Sequence, residues 1–303
     1  MTSQPAYTQL SVDEVLAQNN EVASDFQRSR LCVTSAKQWD RFYQNNANHF
    51  FKDRNWPLQE FFEEARFDLD SHPVHIVCEV GCGTGSFVYP LLEARPNLCF
   101  HACDFSRKAV EQVRTHEKFD PARIHAFVYD LTSTTPTLSD RLREAIFDPA
   151  PPVPSKQVDL LSCIFVLGAI PPERQQSTIA NLLQAVRLGG FFIFRDYALH
   201  DAAQLRLHFR KSHAYSDPAL LDAERPFYCR SDQTLTYFFT PEELIDMVEQ
   251  QPASAASDGQ SPKKTDIKFE RLQCEVVERD MSNRKEGWEV KRRFVQGVWR
   301  RVS

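Results

Sequence analysis

From residue 74 to residue 197 the chain alternates short apolar runs with stretches whose apolar residues recur at helical spacing, and this alternation admits few folds. Val74 to Val80 reads as a first strand, and Ser86 to Arg95 as a helix behind a glycine-rich turn. Leu98 to Cys103 reads as a second strand, Ser106 to Glu117 as a helix opened by a serine cap, and Ile124 to Tyr129 as a third strand. Leu138 to Phe147 is helical, a proline-rich turn covers Pro149 to Pro154, and Val158 to Phe165 is apolar enough for burial on both faces. Thr178 to Arg187 forms a helix ended by Gly189 and Gly190, and Phe191 to Tyr197 another central strand. With a terminal hairpin of Phe269 to Glu278 and Val290 to Trp299, the expectation is an α/β, doubly wound, mostly parallel sheet of seven strands spanning residues 73–303.

Three segments stand outside that rhythm. Residues 1–35 are polar with weak periodicity and read as a tail, or as a marginal helix in the first 23. Residues 36–72 form an arm dense in rings, among them Trp39, Phe42, Tyr43, Phe50 and Trp56, interleaved with Lys37, Arg41, Lys52 and Arg54. Such an arm packs its rings as a cover on a domain edge, or turns its cations to a substrate; both readings stay open. Residues 198–240 carry Arg206, Arg210 and Arg230 and follow a central strand, a position that covers the carboxyl edge where open sheets bind ligands. Thr240 to Gln250 is a capped helix, and residues 251–266 are poor in bulky apolar side chains and read as a flexible loop.

Composition narrows the partners. The 36 Lys and Arg against 41 Asp and Glu leave a formal charge of -5, which excludes a globally basic nucleic-acid coat. A local basic face survives, because the last twenty residues hold seven basic and two acidic side chains. A chain of 303 residues needs no disulfide framework, so its eight cysteines point to a reducing compartment, cytoplasmic or also nuclear. The longest apolar runs are too short to cross a bilayer, so no membrane is expected. Cys78 and Cys82, like Cys99 and Cys103, are four apart rather than spaced as CxxC, so buried thiols are expected and no metal; a zinc site would need Cys229 or Cys274 to join them.

The chemistry centres on Glu79-Val80-Gly81-Cys82-Gly83-Thr84-Gly85, between the first strand and its helix. Glycines there permit positive dihedral angles and close approach of a ligand. The spacing is GxGxG, not the GxGxxG of dinucleotide sites, and no Lys-Ser or Lys-Thr of a triphosphate loop follows, which disfavours pyrophosphate. Asp104 ends the second strand, where a carboxylate can accept from both ribose hydroxyls, and Asp130 follows the third, beside an adenine edge. Singly, the first could be a helix cap and the second a turn former; together they bracket an adenosine.

This combination resembles the class I methyltransferases that use S-adenosylmethionine, and more narrowly the tRNA 3-methylcytidine methyltransferases. The narrower resemblance rests on Phe50-Phe51-Lys52-Asp53-Arg54-Asn55-Trp56, Glu79 to Gly85, Ala102 to Ser106 and Ile164-Phe165-Val166-Leu167. It continues through Phe194-Arg195-Asp196-Tyr197, Phe227-Tyr228-Cys229-Arg230, Tyr237-Phe238-Phe239-Thr240 and Asn283-Arg284-Lys285. The resemblance implies transfer of a methyl group to N3 of cytidine in a tRNA anticodon loop, commonly at position 32, leaving S-adenosylhomocysteine. It implies tRNA as partner and, for some members, seryl-tRNA synthetase. Gly81, Gly83 and Gly85 would form the cofactor loop, Asp104 would hold ribose, and Asp130 with Leu131 would lie beside adenine. Cys163 and Ile164 would face the methionine side, with Glu79 and Phe105 also among the cofactor contacts. Asn55 and His200 stand where relatives often carry His and Tyr.

Cytosine N3 has an in-plane lone pair, so no proton must leave before it attacks, and alignment matters more than a strong base. Asp196 is expected to accept from the cytosine amino group, Arg195 to hold a carboxylate or phosphate, and Tyr197 to orient the base; an ion pair of Arg195 with Asp196 that only closes the pocket is the alternative. Lys52, Arg54, Trp56, Arg206, Arg210, Arg230, Arg284 and Lys285 are the expected substrate contacts. A small-molecule or protein methyltransferase would share the turn and the acids, and a noncatalytic tRNA-binding partner would share the basic features.

Overall fold

The computed structural model describes residues 11–18, 21–46, 61, 75–148, 150, 157–209, 218–250, 267–283 and 288–303. Lys52, Arg54, Trp56, Arg210, Arg284 and Lys285, and the loop 251–266, lie outside them. Among the described residues the chain runs α1 (Val12–Leu16), α2 (Asp25–Asn46), β1 (Ile76–Val80), α3 (Val88–Ala94), β2 (Cys99–Asp104), α4 (Arg107–Thr115) and β3 (Ile124–Val128). There follow α5 (Leu138–Leu142), β4 (Val158–Ile164), a 3-10 turn (Leu167–Ala169), α6 (Pro172–Gln184) and β5 (Val186–Tyr197). The last elements are α7 (Ala202–His208), β6 (Phe227–Cys229), β7 (Leu235–Tyr237), α8 (Pro241–Glu249), β8 (Phe269–Asn283) and β9 (Trp288–Arg301).

Seven strands form one sheet in the order β3-β2-β1-β4-β5-β9-β8, with the first five parallel and the β8–β9 hairpin antiparallel. The order reverses between β1 and β4, and that switch opens a crevice at the carboxyl ends of the strands. Burial explains the continuous apolar runs. Cys78, Leu161 and Phe192 face one apolar cluster, shared with Leu142, Ile179 and Leu244 of α5, α6 and α8. Val77, Leu160 and Ile193 face the other, shared with Val88 and Leu91 of α3 and Val110 of α4. A strand covered on both faces has no polar alternation to show.

Two expectations need correction. The boundary drawn between a tail and an arm after residue 35 falls inside α2, one helix of 22 residues. Its buried positions include Leu31, Ser35, Gln38 and Phe42, spaced as one helical face, but two of those four are polar and hide the stripe. Of the two readings of the first 23 residues, the short helix is the one found: α1 opens with a capping box of Ser11 and Glu14 and is tied to the insertion. There His208 Nε2 lies 2.8 Å from the Leu16 carbonyl and His200 Nε2 2.8 Å from Asp13. Finally, α6 begins at Pro172 rather than at Thr178, with proline in its first turn, and Val186 and Arg187 already belong to β5.

Within the insertion, β6 and β7 pair as a short hairpin and the chain then ties to the sheet end. Phe239 N donates to the Tyr197 carbonyl at 2.8 Å, and Ala198 N to the Arg293 carbonyl at 3.0 Å. The described residues that bracket the insertion, Ala198 and Phe239, thus meet the carboxyl end of β5.

Candidate active site

A cavity of about 390 Å3 lies at the carboxyl ends of the parallel strands, within the range of roughly 300–1,000 Å3 usual for small-ligand sites. Gly81, Asp104 and Phe105 line it from the ends of β1 and β2, Tyr129 to Thr132 from the end of β3, and Phe165 and Val166 from the end of β4. Ile170 and Pro171 lead from there into α6. The remaining wall is α2, through Ser35, Ala36, Trp39 and Tyr43.

The glycine turn is built around Asp104. Its Oδ2 accepts from Gly83 N at 3.1 Å and its Oδ1 from Ser106 N at 2.8 Å, so one buried carboxylate joins the cofactor loop to the start of α4. Gly81, Gly83 and Gly85 all have positive φ, at 61°, 54° and 83°. Gly83 faces the Tyr43 hydroxyl, where an added Cβ would come within 3.0 Å, so α2 closes directly over the loop. Burial, with Asp40 adding repulsion, raises the Asp104 pKa to about 6 against the pull of its backbone donors. Protonation removes an acceptor, so affinity for S-adenosylhomocysteine should be steady at neutral and alkaline pH and weaken as pH falls through about 6. Calorimetric titration across that interval checks this; an affinity as high in acid as at neutrality would exclude Asp104 as a charged acceptor for the ligand.

Helix α2 is fastened at both ends of the cavity. Asp40 Oδ1 accepts from Ser106 Oγ at 2.6 Å and from Lys108 N at 3.3 Å, and Gln112 Nε2 donates to the Tyr43 carbonyl at 3.1 Å. Farther along, Arg28 pairs with Glu173 at 2.9 Å and with Asp222 at 3.5 Å. Ser106 Oγ also accepts from Ala109 N, capping α4. Ser106→Ala should therefore lower stability by about 1–2 kcal/mol and loosen α2 as well. A urea midpoint equal to wild type would show that the cap and its link to Asp40 carry no weight.

Of the residues expected from sequence, Gly81, Asp104, Phe105, Asp130 and Leu131 line the cavity. Asp130 lies at its exposed rim and accepts from Thr132 N at 2.9 Å and from Thr132 Oγ1 at 2.8 Å, while Leu131 is buried. Glu79, Gly83, Gly85, Cys163 and Ile164 are buried and are not part of that lining. Gly85 packs on the Tyr89 ring, and Glu79 is buried in β1.

Arg195, Asp196 and Tyr197 lie outside the lining of the cavity, with the Phe165 ring between Tyr197 and the cavity. Asp196 is 2% exposed, and its oxygens accept from Gly168 N at 2.9 Å and from Tyr197 N at 2.8 Å. The cause is the direction of its side chain at the end of β5: it turns toward the Leu167–Ala169 turn and fixes its backbone. Arg195 donates to Gln296 Oε1 at 3.1 Å and lies over the Phe294 ring. Arg206 is exposed on α7, and Arg230 donates to Thr236 Oγ1 at 3.2 Å.

Phe165 was not singled out from sequence as a site residue. It holds φ 59° at the end of β4, a conformation that costs a bulky residue about 1–3 kcal/mol, and its N donates to the Arg195 carbonyl at 2.7 Å. Strain at a cavity wall is a signal only coordinates carry. Among the described residues no group of three His, Cys, Asp or Glu is placed to hold a metal, and all eight cysteines are free.

The cavity fits S-adenosylmethionine by its buried acceptor and its apolar lining. Gly81 leaves the wall open where any side chain would enter Val166, Asp104 presents a buried acceptor, and Phe105, Leu131 and Ile170 offer apolar surface to a base. The comparisons agree. Residues 78–192 match a family model described as a methyltransferase domain. A methyltransferase from Anabaena variabilis, described as SAM-dependent, superposes with TM-score 0.58 at 14% identity over 88% of this chain and 94% of that one, which establishes the fold. A tRNA N(3)-methylcytidine methyltransferase of Schizosaccharomyces pombe is 36% identical over 92% of this chain and 97% of its own length. A tRNA N(3)-cytidine methyltransferase of Homo sapiens is 33% identical over 94% and 86%. With the Asp104 cavity and that likeness running almost end to end, the chain belongs to the S-adenosylmethionine-dependent tRNA N3-methylcytidine methyltransferases.

Proposed function

We propose that the protein methylates N3 of a cytidine in the anticodon loop of tRNA, at position 32. The observation that carries the reading is the 36% identity that extends through 92% of the chain to a relative named for tRNA N3-methylcytidine formation. Bound in the cavity, S-adenosylmethionine supplies an electrophilic methyl group. Asp104 holds its ribose through the carboxylate, Gly81 leaves room for it, and Asp130 with Leu131 borders its adenine.

The cytosine brings its own lone pair, so the residues around the cavity mouth have to place and desolvate the base rather than deprotonate it. Phe165 offers an apolar ring there. Asp196 works at one remove, as a positioning residue: by holding Gly168 N it fixes the turn that carries Leu167 to Ala169 past the cavity. An unpaired loop nucleotide turns into such a pocket at lower cost than a paired one. Lys52, Arg54, Trp56, Arg210, Arg284 and Lys285 remain proposed RNA contacts, joined by exposed Arg206.

The same reading includes a cytoplasmic, and also nuclear, location, supported by the eight cysteines of a chain that needs no disulfides, and assistance from seryl-tRNA synthetase, supported by the family resemblance. Incubation of purified protein with tRNA and S-adenosylmethionine, followed by nucleoside analysis and mapping, tests the whole. 3-Methylcytidine at position 32 is the expected product. Methylation of another base, of protein or of a metabolite would reject the substrate.

A further inference from the structure

Beside the cavity, three guanidinium groups converge on one pair of rings. Tyr197 at the end of β5 pairs with Phe294 of β9, and their ring centroids lie 5.8 Å apart. Arg195 sits over Phe294 at 4.6 Å, Arg292 over Tyr197 and Phe294 at 5.1 Å and 5.6 Å, and Arg230 over Tyr197 at 5.4 Å. Phe165 of the cavity wall touches the same two rings, at 5.2 Å and 5.5 Å. One ring therefore separates this cluster from the cavity.

Cations packed this closely repel, and the fold compensates them only in part. Asp201, fully buried, pairs with Arg292 at 2.9 Å and accepts from Arg293 N at 2.7 Å. That carboxylate compensates Arg292. Arg230 is the least compensated: half-buried on the β6–β7 hairpin, it donates to a neutral hydroxyl and has no carboxylate partner among the described residues.

We infer that this cluster seats a phosphodiester flanking the target cytidine, with Arg230, its half-buried member on the β6–β7 hairpin, as the side chain that grips it. The inference rests on the tRNA-methylation reading. A guanidinium held over a ring and tied to a hydroxyl keeps its donor fork oriented, and that fork matches two phosphate oxygens. A nucleotide whose base enters the cavity mouth leaves its phosphate outside, on the Phe165 side where the arginines stand. Rings and cations together thus fix the backbone while the cavity takes the base.

The test is a double-substitution cycle on tRNA ligated from synthetic fragments that carry a neutral methylphosphonate at either linkage of the target cytidine. For one of the two linkages, neutralisation should raise KM of the wild-type enzyme about tenfold, with kcat little changed. Arg230→Gln should raise KM for unmodified tRNA by a similar factor and leave S-adenosylhomocysteine affinity intact, and the two changes combined should cost no more than either alone. Arg230→Lys, which keeps the charge and loses the fork, should fall between. Losses that multiply at both linkages would overturn the phosphate contact while the methylation reading stands. Failure of the wild-type enzyme to form 3-methylcytidine would overturn that reading, and this inference with it.

Discussion

Asp104→Ala should weaken S-adenosylhomocysteine binding by about 100-fold, the larger functional loss of the two argued here. Hydrogen bonds to a charged group contribute about 1.5–3 kcal/mol each, and this carboxylate has two duties. It is the buried acceptor in the cavity wall, and it holds Gly83 N and Ser106 N, which shape the glycine turn and the start of α4. Alanine removes both together. Calorimetry against S-adenosylhomocysteine, with circular dichroism to verify the fold, measures the loss; affinity within threefold of wild type would mean the ligand is held elsewhere. Asp104→Asn should be intermediate, because one oxygen remains but the amide nitrogen then confronts a backbone donor.

Gly81→Ala should destabilise the fold by about 2–5 kcal/mol, a large part of the roughly 5–15 kcal/mol available to a domain. Two costs add. An L residue in the left-handed region costs about 1–2 kcal/mol, and Gly81 has φ 61°. The new Cβ would also overlap Val166 Cγ2 and come within 2.9 Å of Cγ1, an overpacking cost of about 1–3 kcal/mol. The components are separable, because Val166→Ala in the same chain relieves the collision and leaves the dihedral cost. Urea unfolding should find the double variant about 1–2 kcal/mol more stable than the sum of the single effects predicts. Strict additivity would place the whole cost in the backbone, and a Gly81→Ala midpoint equal to wild type would refute both parts.

Much of this site could be read from residue order because each piece is local. The turn from Glu79 to Gly85 carries its own dihedral requirement, and Asp104 and Asp130 follow apolar runs directly, so strand ends and acids are visible together. The β4 and β5 runs show burial on both faces for the same reason. Helix α2 was illegible because Ser35 and Gln38 occupy its buried face, and a stripe with polar members looks like a polar segment. The tie of Asp196 to Gly168 is hidden for a different reason: the two residues stand 28 positions apart, and no local pattern pairs a strand-end carboxylate with that turn.

Sequence alone determined the α/β order, the seven-stranded sheet, the glycine turn and the acids at the ends of β2 and β3, since these follow from periodicities and dihedral demands within a few residues. Tertiary structure alone decided that α2 walls the cavity, that Asp196 braces a turn, and that Arg195, Arg230 and Arg292 meet over two rings. Those facts join residues far apart in the chain, and no local preference encodes which distant side chain will satisfy a buried donor or balance a charge.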